Sequence, residues 1–375
     1  MKSVNIIYLL FLITFLSCKK EIVKVDKKTQ SKSTIKYAKG FDILNENGIK
    51  KLIIKSAYKG SDEIAKYIIK AKKDKNSKAE NTIFTPIQQI VVTSTTHIPM
   101  VELLNEETAI IGFPYSKYVS SEKTRNLIDA GKIKEIGKES SLNTEILLDL
   151  KPELVVGYSV SSADKSLTTI KKAGINVIYN GDWLEETPLG RAEWIKFFGV
   201  LFDKEQQADS IFKVIEANYN DAKQIALKST KKPTILSGAI MSKDIWNLPA
   251  GDSFVAQYLK DANCNYLWQS TKGKGSLSLS FESVFDKGAG ADFWIAPGYF
   301  SSKDQLLNSN ELYSKFNAFK KGNIFTPSTK KGKTGGVIYY ELAPTRPDLV
   351  LKDVIKITNP DLLLKYKMTF FEKMK

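Results

Sequence analysis

The feature that most constrains this chain is an alternation that runs twice. Between Ile90 and Tyr179, short apolar runs at Ile90–Val92, Ala109–Ile111, Leu154–Val156 and Val177–Tyr179 are separated by helical patterns such as Glu145–Leu150 and Lys165–Ala173. Short buried strands alternating with helices predict a parallel sheet covered on both faces. A stretch without Gly or Pro then runs from Phe202 to Ser229 and ends at Lys231-Lys232-Pro233. Its residues Ala208, Ile211, Phe212, Ile215 and Tyr219 fall on one helical stripe, and Asp203 is the expected cap. The alternation restarts with strands at Thr234–Leu236, Phe293–Ile295 and Ile324–Phe325 and helices at Ser253–Ala262 and Asp348–Ile357. Asn359-Pro360-Asp361 is read as the cap of a final helix. The expected fold class is α/β: two Rossmann-like lobes joined by a single long α-helix.

The two halves echo each other. Leu142-Asn143-Thr144-Glu145 precedes a helix and the strand Leu154–Val156, and Leu279-Ser280-Phe281-Glu282 precedes a helix and the strand Phe293–Ile295. Ahead of both halves, Phe41–Gly48 and Lys51–Lys55 form a hairpin signal around Asn47-Gly48.

The first residues read as an export signal. Met1-Lys2 is followed by an apolar run from Ile6 to Leu16 and by Ser17-Cys18. A run of roughly a dozen residues is too short to span a bilayer, which needs about 20. A small residue before a cysteine points to lipoprotein processing at Cys18, although Phe15 stands where such signals prefer Leu. The expected organisation is a signal peptide over 1–17, a lipidated Lys/Ser/Thr-rich tether over 18–39, an N-terminal lobe over 40–201, a linking helix over 202–230 and a C-terminal lobe over 231–375. Once the signal and lipidated cysteine are set aside, Cys264 is the one cysteine left, so stability has to come from packed cores rather than a disulfide.

The net charge is +15, from 56 Lys+Arg against 41 Asp+Glu, and only Arg125, Arg191 and Arg346 are arginines. Readers of nucleic acid favour arginine for bidentate contacts, so dispersed lysine on an exported chain argues against nucleic acid and for a solvated or lipid-facing surface. Catalytic patterns are weak. His97 is the single histidine, no His/Cys/carboxylate cluster has zinc spacing, and no G-x-S-x-G occurs. Gly332-Lys333-Thr334 resembles the end of a phosphate loop, but Pro327 stands where its leading glycine belongs. A carboxylate pair for an exported enzyme acting on a bulky substrate stays open.

Aromatic residues recur at the expected strand ends: Tyr115 and Tyr118, Tyr158, Trp183, Trp246, Tyr299, and Tyr340. Converging loops of this kind would wall a cleft for a flat or bulky ligand. His97 follows four hydroxyl residues, Thr93 to Thr96, and is either a hydrogen-bonded helix-start residue or a cleft contact. Asp182, Trp183 and Arg191 share the turn-rich segment Asn180–Gly199, which joins a strand to a helix. Asp182 and Trp183 are read as cleft-rim groups. Arg191 either reaches the cleft or pairs with a carboxylate.

Four stretches, Ile90–His97, Leu142–Val156, Thr187–Trp194 and Arg346–Asp353, resemble the iron-siderophore and vitamin B12 type of ABC-transporter substrate-binding protein, the class III periplasmic binding proteins. The resemblance runs from about Ile90 to the C-terminus. It implies a non-catalytic, membrane-anchored monomer of the cell envelope, facing the periplasm. Such a protein takes a metal chelate (a siderophore first, then a corrinoid, then haem) from a cleft between its lobes to an inner-membrane permease. It requires no resident cofactor. It implies cleft contacts from Tyr115 or Tyr118, Tyr158, and Tyr340 or Glu341; together with the strand-end loops, the candidate ligand contacts are His97, Tyr115, Tyr118, Tyr158, Asp182, Trp183, Trp246, Tyr299, Tyr340 and Arg346. It also implies permease docking through Glu145 and Glu282, the matching glutamates of the two lobes. Lipid attachment falls to Cys18.

Overall fold

The computed structural model describes residues 33–61, 63–72, 81–138, 141–160, 162 and 164–375. The signal, Cys18 and most of the tether lie outside the described residues. The first lobe is built on a parallel sheet in the spatial order Val177–Tyr179, Leu154–Gly157, Ile90–Val92, Ile110–Phe113, Lys134–Glu135. Ile90, Val91, Val92, Leu154, Val155 and Val156 are all buried, as helices on both faces demand of central parallel strands. The second lobe orders its strands Asn265–Tyr266, Thr234–Ser237, Phe293–Ile295, Ile324–Thr326, with Glu372–Lys373 added antiparallel at the edge.

Each sheet reverses its winding once. In the first lobe the reversal lies between Ile90–Val92 and Leu154–Gly157, and in the second between Thr234–Ser237 and Phe293–Ile295. Loops leaving the carboxyl ends of two such strands diverge and open a crevice, the usual ligand position in open α/β sheets.

The linking helix is Glu205–Ala226, 22 residues and so about 33 Å long at ~1.5 Å per residue. One stripe serves both lobes. Ala208, Phe212 and Ile215 are buried in the first core, and Tyr219, Ala222 and Ala226 in the second. The helix does not start on an Asp203 cap. Asp203 takes a left-handed backbone (φ 57°) that separates this helix from the preceding one, Ile195–Leu201, and Lys204 is the N-cap. The final helix expected after Asn359 is only a 3-10 turn, Pro360–Leu363.

The hairpin at Asn47-Gly48 forms, both residues taking positive φ, and it belongs to a larger sheet. Phe41–Glu46, Ile49–Ile54 and Ala65–Ala71 pair antiparallel, and Thr82–Thr85 joins in parallel. The inner face carries Phe41, Leu52, Ile54, Tyr67 and Ile69 into the first core, where the Phe41 ring lies 4.4 Å from that of Trp194. The chain entering this sheet is strapped down by two buried carboxylates. Glu193 accepts the backbone N–H groups of Lys36 (3.0 Å), Tyr37 (2.6 Å) and Ala38 (2.9 Å). Glu185 accepts those of Lys39 (2.9 Å) and Gly40 (2.8 Å) and the indole N–H of Trp194 (3.0 Å).

Candidate functional site

A cleft of about 670 Å³ lies between the lobes, within the range of small-molecule sites. Both winding reversals feed it. From the first lobe come Thr93 to Thr96, Phe113 to Tyr115, Tyr118, Tyr158, Trp183 and Arg191; from the second come Tyr299, Gly335, Val337, Tyr340 and Glu341. The Tyr158 backbone N–H donates to the Thr93 hydroxyl at 2.8 Å, which ties the two loops at the first reversal together.

The aromatic residues work in pairs. Tyr115 and Tyr118 meet edge to face with centroids 4.7 Å apart, as do Tyr158 and Trp183 at 6.0 Å, while Tyr299 and Tyr340 are tilted at 5.8 Å. Tyr115 is held in a left-handed backbone (φ 52°), with its N–H donating to the Gly137 carbonyl at 2.7 Å and to Glu135. That strained turn presents its ring to the cleft. The Lys117 ammonium lies 4.5 Å from the Tyr115 ring centre. Lys117 first, and Tyr118 second, hold the Tyr115 phenol below its usual range by favouring the phenolate.

Two residues of the cleft wall carry donors without acceptors. The indole N–H of Trp183 and Nε of Arg191 are buried and have no protein partner among the described residues. The Arg191 guanidinium packs over the Phe254 ring of the second lobe at 4.6 Å and sits 3.8 Å from Asp182, beyond hydrogen-bond length.

Four expected ligand contacts are corrected. Trp246 is buried in the second core, donates to the Ser237 carbonyl at 3.0 Å and stacks on Trp294 at 5.3 Å. Its strand, Ile245–Pro249, turns the indole inward. His97 opens the helix His97–Leu103 with no exposed surface, against Phe198 at 5.6 Å. Burial pushes its imidazole down to about 4, against the opposing pull of Asp182. Asp182 is likewise fully buried beneath the cleft wall. Arg346 makes a bidentate pair with Asp348 (2.9 and 2.8 Å) at the start of Pro347–Thr358 and lines no part of the cleft. Tyr115, Tyr118, Tyr158, Trp183, Tyr299 and Tyr340 do converge on it.

Sequence reasoning left Arg191 open and gave Glu341 only as the alternative to Tyr340; in the structure Glu341 spans the seam. Its carboxylate accepts the backbone N–H groups of Ser120 (2.7 Å) and Ser121 (2.8 Å) in the other lobe. The run Thr93 to Thr96 carried a signal that His97 drew away, since all four of those residues line the cleft. Glu145 and Glu282 are both exposed in the first turn of their helices, Thr144–Leu150 and Phe281–Gly288. Among the described residues, no group of three or more His, Cys, Asp or Glu could hold a metal ion, and no helix is long and apolar enough to cross a membrane.

A family profile described as periplasmic binding protein matches residues 90–328. The chain belongs to the periplasmic binding protein family. An uncharacterised lipoprotein of Methanocaldococcus jannaschii is 26% identical over 94% of this chain and 86% of its own length. Two solved structures share the fold. The triscatecholate siderophore binding protein of Bacillus subtilis, complexed with ferri-bacillibactin, is 16% identical with a TM-score of 0.55, covering 74% of this chain and 94% of that one. The periplasmic haem-binding protein of Vibrio cholerae is 17% identical with a TM-score of 0.55, covering 70% and 99%. The two-lobed fold, with its single linking helix, is that of the class III members. The family is one of substrate-binding proteins, and residues 33–89 precede the part that its profile matches.

Glu341 generates a pH prediction. Burial, helped by nearby Glu102 and opposed by the Ser120 and Ser121 N–H groups, pushes its carboxyl up to about 7. A pKa raised above the free value of 4.5 means the folded chain holds the proton more tightly. The stabilisation is complete below about 4.5 and is lost as pH rises through about 7. His97 works the other way, losing stabilisation as pH falls from 6.5 toward 4, and it cancels when two variants that both keep it are compared. Between pH 5 and 8 the melting temperature of Glu341→Gln is expected to gain on wild type by about 5 °C. Parallel melting curves across that range would remove Glu341 from the pH response.

Proposed function

We propose that this chain is the substrate-binding lipoprotein of an ABC importer, and that it captures a ferric chelate of the siderophore class. The observation that carries this reading is the Tyr115–Lys117–Tyr118 group. It sets a phenol biased toward phenolate, with a cation over its face, in a cleft that Trp183 and Arg191 also line. Aromatic walls suit a bulky organic chelate, and the cations and N–H donors suit its anionic oxygens. The siderophore-binding protein of Bacillus subtilis and the haem-binding protein of Vibrio cholerae share the fold. Haem and corrinoids are the alternative ligands of the same type, and a phenol is a known haem ligand. An exported enzyme is the competing class, and turnover of any tightly bound compound would establish it.

Tryptophan quenching titrations against ferric siderophores, cobalamin and haem test the ligand class directly. Saturable quenching by a ferric siderophore is expected. Trp183→Ala and Tyr158→Ala should weaken it about tenfold or more, with unchanged melting curves. No saturable response to any of the three would sink the reading.

Delivery is assigned to Glu145 and Glu282. Each is an exposed carboxylate at an equivalent helix start on its own lobe, suited to pairing with cations of a permease. Replacing both with Ala should abolish uptake in cells while leaving ligand affinity intact. Lipid attachment at Cys18 belongs to the same proposal, and a relative named as a lipoprotein supports it. Cys18→Ala should then move the protein from the membrane to the soluble fraction, and a variant still bound to membranes would contradict lipidation.

A further inference from the structure

The segment Gly332-Lys333-Thr334 is no phosphate loop, but it has a position. Residues 330–338 form a self-closed turn. Lys331 bridges Val337, the Gly332 N–H donates to the Gly336 carbonyl at 2.8 Å, and the Ile338 N–H donates to the Lys330 carbonyl at 3.0 Å. Its foot is fixed in the second lobe, where Lys330 Nζ donates to the carbonyls of Met368 (2.6 Å) and Thr369 (3.0 Å). Its tip lies on the first lobe. The Thr334 hydroxyl donates to the Lys117 carbonyl at 2.7 Å, and Lys333 pairs with Asp129 at 2.7 Å. A few residues on, Glu341 accepts the Ser120 and Ser121 N–H groups.

The approach is backbone to backbone. A Cβ on Gly332 would stand 2.5 Å from the Ser120 Cα, and one on Gly336 would stand 2.1 Å from the Tyr118 carbonyl oxygen. Neither glycine has a positive φ. Their lack of a side chain is therefore required by the neighbouring lobe and not by their own conformation. Close-packed main chain transmits strain and yields little. Gly335, Val337 and Glu341 line the cleft, and the rim they touch carries Tyr118.

We propose that the turn 330–338 and Glu341 form a clasp that sets the width of the cleft, with Gly332 and Gly336 as size-determining residues for the ligand. The proposal rests on the reading of the cleft as the ligand site. The linking helix joins the lobes through side chains in both cores, and the clasp joins them a second time at the cleft wall. The gap between the Tyr115–Tyr118 pair and the Tyr299–Tyr340 pair is then fixed by main-chain contact. An added methyl at either glycine pushes the first-lobe rim away and widens it.

The test uses the mature protein with Cys18→Ala, carrying nitroxide labels at Lys138→Cys and Lys243→Cys, exposed positions on the two lobes. Cys264 is buried, and burial pushes its thiol up to about 12, so it stays unlabelled. Gly332→Ala and Gly336→Ala are expected to lengthen the interlobe distance relative to wild type. Gly275→Ala, where a Cβ meets open space, should not change it. Glu341→Ala, which removes the catch without adding bulk, should broaden the distance distribution. In titrations with haem, a ferric tris-catecholate and cobalamin, probes of increasing bulk, the glycine variants should shift preference toward the larger probes by about tenfold. Unchanged distances in both glycine variants and in Glu341→Ala would overturn the clasp. Longer distances with an unchanged preference among bound probes would overturn its role in size selection. If wild type binds none of the three, the ligand reading fails, while the distance measurement still decides the clasp.

Discussion

The structure depends on one helix having enough apolar length to be buried twice. Glu205–Ala226 gives Ala208, Phe212 and Ile215 to one core and Tyr219, Ala222 and Ala226 to the other. A helix buried only at one end would leave the lobes joined by an exposed rod. Here both ends are held by packing, so a hinge motion has to bend a continuous hydrogen-bonded ladder or disturb a core. That is why the relative position of the lobes is narrowly set, and why small interlobe contacts at the cleft carry weight. The same restriction makes the cleft largely pre-formed, which lowers the conformational free energy lost on binding.

The N-terminal addition is joined to this frame rather than appended to it. Glu185 and Glu193 are buried carboxylates, and each is met by several N–H donors from residues 36–40 or from Trp194. A buried charge without such partners would cost several kcal/mol. The strap and the segment Thr187–Trp194 therefore require each other. Tyr37 also donates to Glu216 on the linking helix, and Lys39 and Lys274 flank Glu186, one from each lobe. The chain thus enters the fold where the first lobe, the linking helix and the second lobe meet.

The alternating strands and the linking helix were legible because their periods are unambiguous. Ile90–Val92 and Leu154–Val156 have no polar face to hide, and the helix stripe repeats at 3.6 residues. The strand Ala65–Ala71 was not read, because its lysines fall on the outer face of a half-covered sheet. Ser276–Ser280, a strict Ser/Leu alternation, pairs with Ile245–Pro249 and was also missed. Tyr158 and Trp246 look alike in sequence, each an aromatic residue near a strand end. Tyr158 leaves its strand into the cleft, whereas Trp246 stays within a strand whose Leu248 shares its buried face. The resemblance marked Glu341 only as an alternative to Tyr340, and its hold on the other lobe left no pattern, since its partners are two main-chain N–H groups more than 200 residues away in sequence.

Buried polar groups close to the cleft differ sharply in how far they are satisfied. Glu185 and Glu193 have donors on every side and only hold the chain in place. A few residues away, Asp182 accepts no hydrogen bond through its carboxylate from any described residue, and both His97 nitrogens, Arg191 Nε and the Trp183 indole N–H are without protein partners. Leaving a buried donor or acceptor unpaired costs about 1–3 kcal/mol. Of this group, Trp183 and Arg191 also line the cleft, whereas His97 and Asp182 do not. The under-satisfied group thus sits at the cleft wall, and the fully met carboxylates sit at the strap.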